Sequence, residues 1–475
     1  MTLLLFFIIS SILIVAIVLF KNKTITKIMT ISFVLLHIWL TLHCWTNLNK
    51  TELGYFTFNS LGVLLLSVLS FLTIPTVYHG FIYALNDDTK KYDIYHSALI
   101  ALITFMTGAY LANGMTVLWI FVEATTLAVA ALIYHDRTEM ALEATWKYVF
   151  ICSIGIALAY LGILFLGFIY GRGDAANLSF ASLINIINLA NPLYLKIAFV
   201  FVLIGFSTKM GLFPMHTVTI DAHSVAPPPI SALISTTLMN VGFLAIFRVY
   251  TLFASSSILP FMNNVLILSG LLSLLVAAGY MLKAKHLKRM LAYSSLENMG
   301  LVAIAVGVGG YGYYAALLLL VLHSLTKSGL FYQMGQLSRV LHTFKLDECG
   351  KYMELYPAGA LVLLLGMICI LAIPPSGLFI SEFMIFKGLV LKDKWFVLIT
   401  TIILLCFVIY AMSTRIMHIL FSNSRNEGDL KVPDKVNPVE SISQFVLLGI
   451  VFIMCFYQPL FLVDLINQSF ALLPK

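Results

Sequence analysis

Four ionisable side chains stand inside long apolar runs: Glu123 in MTVLWIFVEATTLAVAALIY, Lys209 in FVLIGFSTKMGLFP, Lys327 in VLHSLTKSGLF and Glu382 in IPPSGLFISEF. A charge at a bilayer centre costs roughly 2.5–3.5 kcal/mol on insertion scales, so such residues mark ion pathways or else pair with one another. Gly211 and Pro214 follow Lys209 at once and interrupt a helix, and His216, Asp221 and His223 precede a triple proline. An ionisable group beside a broken helix is how transporters build ion sites near the midplane. Glu123, two helices away, is the candidate counter-charge of Lys209, with a purely structural ion pair as the alternative. In chain order the four residues form an acid–base–base–acid series on separate helices, which reads as a horizontal proton path.

Other polar residues extend or merely support that line. Lys147 opens the sixth span in LEATWKYVF, within about a turn of the loop, so it either joins the path or snorkels to the interface. His323 precedes Lys327 by four residues on one helix face and is a relay or a satisfied core histidine. Asn240 in the eighth span and Glu297 in AYSSLENMG either continue the path or bond between helices. Lys387 follows Glu382 but faces another direction. His37, His43 and His418 fall near span ends and read as interfacial.

The elements that must position these residues are membrane helices. The 475 residues are 61% hydrophobic and only 10% charged, against about 25% charged in soluble domains. Apolar runs recur from end to end, which predicts an all-α polytopic membrane protein. About fourteen spans are expected: 1–20, 26–46, 58–85, 95–112, 115–134, 145–170, 194–214, 227–252, 257–281, 290–309, 312–337, 358–390, 395–421 and 441–463. The first is read as a span rather than a removed signal peptide, for it has no basic leader and no small-residue cleavage site.

The seventh span breaks at 209–214 and the twelfth at 373–383, five helices apart. An odd offset inverts topology, so two inverted five-helix repeats are expected. The partition is 1–94 as an N-terminal three-helix segment, 95–252 and 257–421 as the repeats, and 441–475 as a C-terminal helix. Alternate loops are basic, with Lys21, Lys23 and Lys27, Lys90 and Lys91, Arg137, Lys283 to Arg289, Arg339 to Lys351, and Arg425, Lys431 and Lys435. The intervening loops hold few basic residues, such as Lys50, Arg172, Lys392 and Lys394. The positive-inside rule makes the basic loops cytoplasmic and puts both termini outside. The six cysteines are scattered without a CxxC, and no HExxH, phosphate-binding glycine loop or dinucleotide fingerprint is present. No cofactor is expected in this chain, and no basic cluster suggests nucleic acid.

The strings WIFVEATTL, LEATWKY, GFSTKMGLFPMH, DAHSVAPPPISALIS, KRMLAYSSLENMGLVA, HSLTKSGLF and PPSGLFISEFM resemble the antiporter-like proton-translocating subunits of respiratory complex I and its relatives. Within them the chain is similar to the F-type branch of the hydrogenase-4 membrane proteins, and the resemblance covers roughly 95–390. It implies a fourteen-helix fold with broken seventh and twelfth helices. It assigns Glu123 and Lys209 to one half-channel and has Lys327 lead to Glu382. It further implies a non-catalytic pumping subunit in a prokaryotic cytoplasmic membrane. Its partners would be other membrane subunits and, through them, a soluble hydrogenase-type arm that carries the redox chemistry. The loop after Lys209 departs from the family pattern, with Val218, Thr219 and Ile220 for Trp, Leu and Pro, and Val225 for an acid. A sodium/proton antiporter subunit and a non-conducting membrane anchor are the alternative functions.

Overall fold

The computed structural model describes residues 1–170, 179–187, 190–422 and 436–474. Arg172 and the basic residues Arg425, Lys431 and Lys435 lie outside the described residues. In chain order the helices begin with α1 (Thr2–Phe20), α2 (Lys23–Thr46), α3 (Ser60–Tyr83), α4 (Thr89–Leu111) and α5 (Met115–Ile133). Then come α6 (Glu139–Tyr170), α7 (Phe180–Ile187), α8 (Pro192–Met210), α9 (Thr217–Val225) and α10 (Pro228–Leu233). A π-turn at Ile234–Leu238 leads into α11 (Met239–Phe253), followed by α12 (Leu259–Leu282), α13 (Leu287–Val308), α14 (Tyr311–Leu341) and α15 (Tyr352–Leu355). The chain continues through α16 (Pro357–Ile370), α17 (Gly377–Leu391), α18 (Trp395–Phe421), α19 (Ile442–Phe456) and α20 (Leu460–Ser469). A small antiparallel hairpin, β1 (Thr51–Glu52) with β2 (Phe56–Thr57), joins α2 to α3.

Among the described residues, thirteen helical segments are long and apolar enough to cross a membrane. Fourteen crossings result when α16 and α17, separated by the break at 371–376, are taken together. The chain is thus a multi-span membrane protein with the expected broken seventh and twelfth elements. Several ends differ from the hydropathy reading: α4 starts at Thr89 and α6 at Glu139, because polar first turns continue the helices beyond their apolar cores.

Both breaks follow from local chemistry. Gly211 adopts the left-handed conformation at φ 76°, and its N–H caps Ser207 O at 2.8 Å. A glycine there meets no Cβ penalty, which makes it the natural helix stop. At the second break Ser376 accepts the Leu378 N–H at 3.2 Å and so starts α17. The Phe213–Pro214 and Pro374–Pro375 peptide bonds are cis.

The chain divides into two compact units. The first comprises 1–227, 237–264 and 461–475. In it α6 and α8 approach closely because Gly155 and Gly205 face each other, each lying against the other's carbonyl. Small residues at such a crossing let backbones come together without lipid or side chain between them. α11 meets α8 at Gly242, which rests on the backbone of Lys209 and Met210. The second unit comprises 228–236 and 265–460. There α14 lies between α13, α17 and α19, and Gly270 and Gly300 bring α12 onto α13.

One expectation fails outright. His37 is not interfacial but fully buried within α2, its Nε2 2.9 Å from Thr107 Oγ1 on α4. Hydropathy alone cannot tell a lipid-facing position from one turned toward a neighbouring helix.

Candidate functional site

Lys209 occupies the last turn of α8, where the negative end of the helix dipole favours a cation. Its side chain is only 1% exposed. The ammonium donates to Thr126 Oγ1 at 2.8 Å and to the Tyr148 hydroxyl at 3.2 Å. Thr126 in turn donates to Glu123 Oε2 at 3.2 Å. A threonine hydroxyl both donates and accepts, so Thr126 forms a one-residue bridge between base and acid. Thr126 and Glu123 are three residues apart on α5, which puts both on the face turned to α6 and α8. Glu123 is half-buried, and Ser153 Oγ approaches its other oxygen at 3.5 Å, the limit of a hydrogen bond. Glu123, the candidate counter-charge of Lys209, thus meets it through a hydroxyl rather than as a direct ion pair.

The remaining candidates of the first unit take other places. Lys147 points away from this cluster: its side chain is 50% exposed and pairs with Glu143 at 2.5 Å along α6. Its neighbour Tyr148 is the residue that reaches Lys209, since one step along a helix turns the side chain by about 100°. His216 precedes α9 and is buried, its ring stacked on that of Phe213 at 6.0 Å between centroids. His223 on α9 and Asn240 on α11 are fully buried. The segment that departs from the family pattern is a helix rather than a loop. Val218, Thr219 and Ile220 are buried in α9, which packs against α6 and α8.

The second unit holds the same kinds of residue in another arrangement. Lys327, fully buried in the middle of α14, donates to the Leu291 carbonyl and to the Ser294 hydroxyl of α13. Ser294 and Glu297 stand three residues apart on α13, as Thr126 and Glu123 do on α5 in the opposite order. Glu297 is buried and accepts Asn298 Nδ2 at 3.0 Å. It lies in electrostatic reach of both Lys327 and Glu382. Glu382 is buried in the second turn of α17, just past the break. His323 is fully buried on α14, but the hydrogen bonds of the Lys327 ammonium run to α13. Lys387 is directed away as expected, its ammonium over the Tyr311 ring at 4.7 Å.

The sequence profile of the family described as "NADH:quinone oxidoreductase/Mrp antiporter, TM" matches residues 112–408, a stretch that contains all four ionisable residues. The chain belongs to this family. It is 36% identical over 300 residues to the hydrogenase-4 component F homolog of Methylacidiphilum infernorum (isolate V4), across 62% of the chain and 63% of that relative. The chain thus spans less than two thirds of that relative's length. A chain of the membrane-bound sulfane sulfur reductase, an archaeal respiratory membrane complex, superposes with TM-score 0.85 at 20% identity, covering 99% of this chain and 97% of that one. A chain of the Mrp complex from Dietzia sp. DQ12-45-1b superposes with TM-score 0.86 at 14% identity and the same coverage of 99% and 97%. At such identities these two likenesses concern the fold.

For this NADH:quinone oxidoreductase/Mrp antiporter family member, the residues that sequence reasoning misses are the hydroxyls Thr126, Tyr148 and Ser294. The available signal is spacing. In EATT and SSLE an acid and a hydroxyl stand three residues apart, beside the only charge of an apolar run.

Proposed function

We propose that this chain is a proton-translocating integral membrane subunit of a redox-driven, hydrogenase-4-like complex. The observation that carries the proposal is the file Lys209 Nζ, Thr126 Oγ1 and Glu123 Oε2, with steps of 2.8 and 3.2 Å that run from a buried ammonium to a half-buried carboxylate. A proton can pass along it by exchange: Lys209 gives one to the threonine oxygen while that hydroxyl gives its own to Glu123. The hydroxyl is left unchanged. Lys327 and Ser294 repeat the base–hydroxyl contact in the second unit, where the Ser294 hydroxyl itself donates to the Leu291 carbonyl. Glu297 and Glu382 are the acids proposed for it. Glu123, Lys209, Lys327 and Glu382 are the proposed transfer residues, and Glu297 joins them on the strength of its surroundings. Lys147 is withdrawn from the path.

The chain has no cofactor of its own in this reading. Its energy comes from partners: neighbouring membrane subunits and, through them, a soluble hydrogenase-type redox arm. The membrane is the prokaryotic cytoplasmic membrane, with both termini outside. A relative named hydrogenase-4 component F homolog supports the reading of a hydrogenase-type partner.

The test is Lys209→Ala in the assembled complex, reconstituted in proteoliposomes. Loss of proton translocation with normal subunit content is expected; unchanged pumping would overturn the role. A second reading, a subunit of a multisubunit sodium/proton antiporter, is favoured by the family description and the Mrp likeness. Sodium-dependent proton exchange without any redox substrate would select it.

A further inference from the structure

The first unit contains a buried cation that the proton file does not use. Arg248, on α11, is 7% exposed, and among the described residues its guanidinium bonds neutral groups, Tyr110 O at 2.7 Å and Ala112 O. These are carbonyls at the end of α4, and Arg248 caps them, with the Phe180 ring of α7 at 5.0 Å. An arginine presents five N–H donors in a planar fork, and these bonds use two of them. A guanidinium taken out of water needs counter-charge as well as hydrogen bonds.

Arg248 lines a cavity of about 310 Å³ in this unit. Asn49, Asn59, Asn113, Thr251 and Gln468 surround it, and no carboxylate lines it among the described residues. The lining therefore offers amide donors around one positive charge, its hydroxyls of Thr251, Ser60 and Ser469 already donating within the protein. On the rim Ile184 and Leu472 are exposed apolar residues. Water would satisfy the amides, but among the described residues nothing in this lining gives the guanidinium a counter-charge.

We propose that this cavity binds a phosphate group, with the Arg248 fork as its cation and the amides as further donors. Forked recognition of phosphate is the strong mode for arginine. The group arrives on an anionic phospholipid, whose chains the apolar rim accommodates, or as free phosphate. Either source uses the same polar lining.

The full chain, purified in delipidated detergent solution, is titrated separately with dihexanoyl phosphatidylglycerol and with inorganic phosphate. Two variants are compared: Arg248→Gln, which removes the cation, and Thr251→Trp, which fills the cavity while leaving the carbonyl caps of α4 in place. Saturable binding that weakens about tenfold or more in both variants is expected. The probe that binds identifies the source. If Arg248→Gln does not fold, Thr251→Trp alone decides. Binding of neither probe to the wild type, or binding indifferent to the filled cavity, would overturn the proposal. The readout is independent of proton transport, so its outcome does not depend on the pumping role.

Discussion

Lys209 donates to the hydroxyl of Thr126 at 2.8 Å, and that hydroxyl, not a carboxylate, is its nearest oxygen partner on α5. The acid stands one step further on, at 3.2 Å from the same oxygen. A direct ion pair would lock base and acid together and hold both charges. An intervening hydroxyl instead couples them while leaving each able to change state, because it can reverse which neighbour it donates to.

Thr126→Val keeps the shape of the side chain and removes the bridge. A hydrogen bond to a charged group contributes about 1.5–3 kcal/mol, so translocation should fall by about tenfold or more. Thr126→Ser, which restores the oxygen, should recover most of it. Initial rates of proton uptake in proteoliposomes measure both. Equal rates for Val and wild type would remove Thr126 from the path.

Adjacent residues on α6 should behave in opposite ways. Tyr148→Phe deletes the second donor–acceptor at Lys209, 3.2 Å from its nitrogen, and should slow transport several-fold. Lys147→Ala deletes an exposed partner of Glu143 and should change the rate by less than about twofold, since exposed pairs along a helix contribute little. Parallel transport assays on the two variants, at matched protein content, decide the matter. A large effect at Lys147 would restore it to the path.

The difference between Lys147 and Tyr148 shows what was legible and what was not. Glu123, Lys209, Lys327 and Glu382 stood out because a charge inside an apolar run is expensive wherever the helix turns it. The two breaks stood out because glycine and proline act locally. Helix rotation leaves no such trace. It put Tyr148 rather than Lys147 at Lys209, and it buried His37 against Thr107. Thr126 and Ser294 were hidden for a further reason. Threonines and serines in membrane helices commonly bond their own backbone, as Thr125 and Ser324 do here and as Ser294 does while also accepting from Lys327. Only packing shows which of them turns toward a neighbour.

The crossing of α6 and α8 sets the distance between Tyr148 and Lys209. Gly155 lies against Thr208 and the Gly205 carbonyl, so any added side chain must separate the helices. Gly155→Leu should cost about 1–3 kcal/mol, as overpacking does, and lower transport along with the thermal midpoint. Gly167→Ala on the same helix, where a Cβ meets nothing within 4 Å, is the control and should leave both unchanged. Thermal unfolding in detergent and proton uptake together read the result. A Gly155→Leu protein as stable and active as wild type would show that the crossing is not tight.

Outside the membrane, His286 gives the second unit a pH-dependent contact. Its loop pairs with the segment after α14 through Leu287 N–H to Phe344 O at 2.8 Å and Leu346 N–H to Lys285 O at 2.9 Å. Burial, with Lys288 and Arg289 nearby, pushes the His286 imidazole down to about 4, against about 6.5 in an unfolded chain. The unfolded segment then binds the proton more readily than the folded one. Its contribution to local stability is therefore complete above about pH 6.5 and is lost progressively as pH falls toward 4. Amide exchange at Leu287 and Leu346, corrected for intrinsic rates, should accelerate between about pH 7 and 5. His286→Gln, which cannot titrate, should flatten that dependence while the two backbone bonds remain. Protection that stays constant across that range in the wild-type chain would show that His286 does not govern this contact.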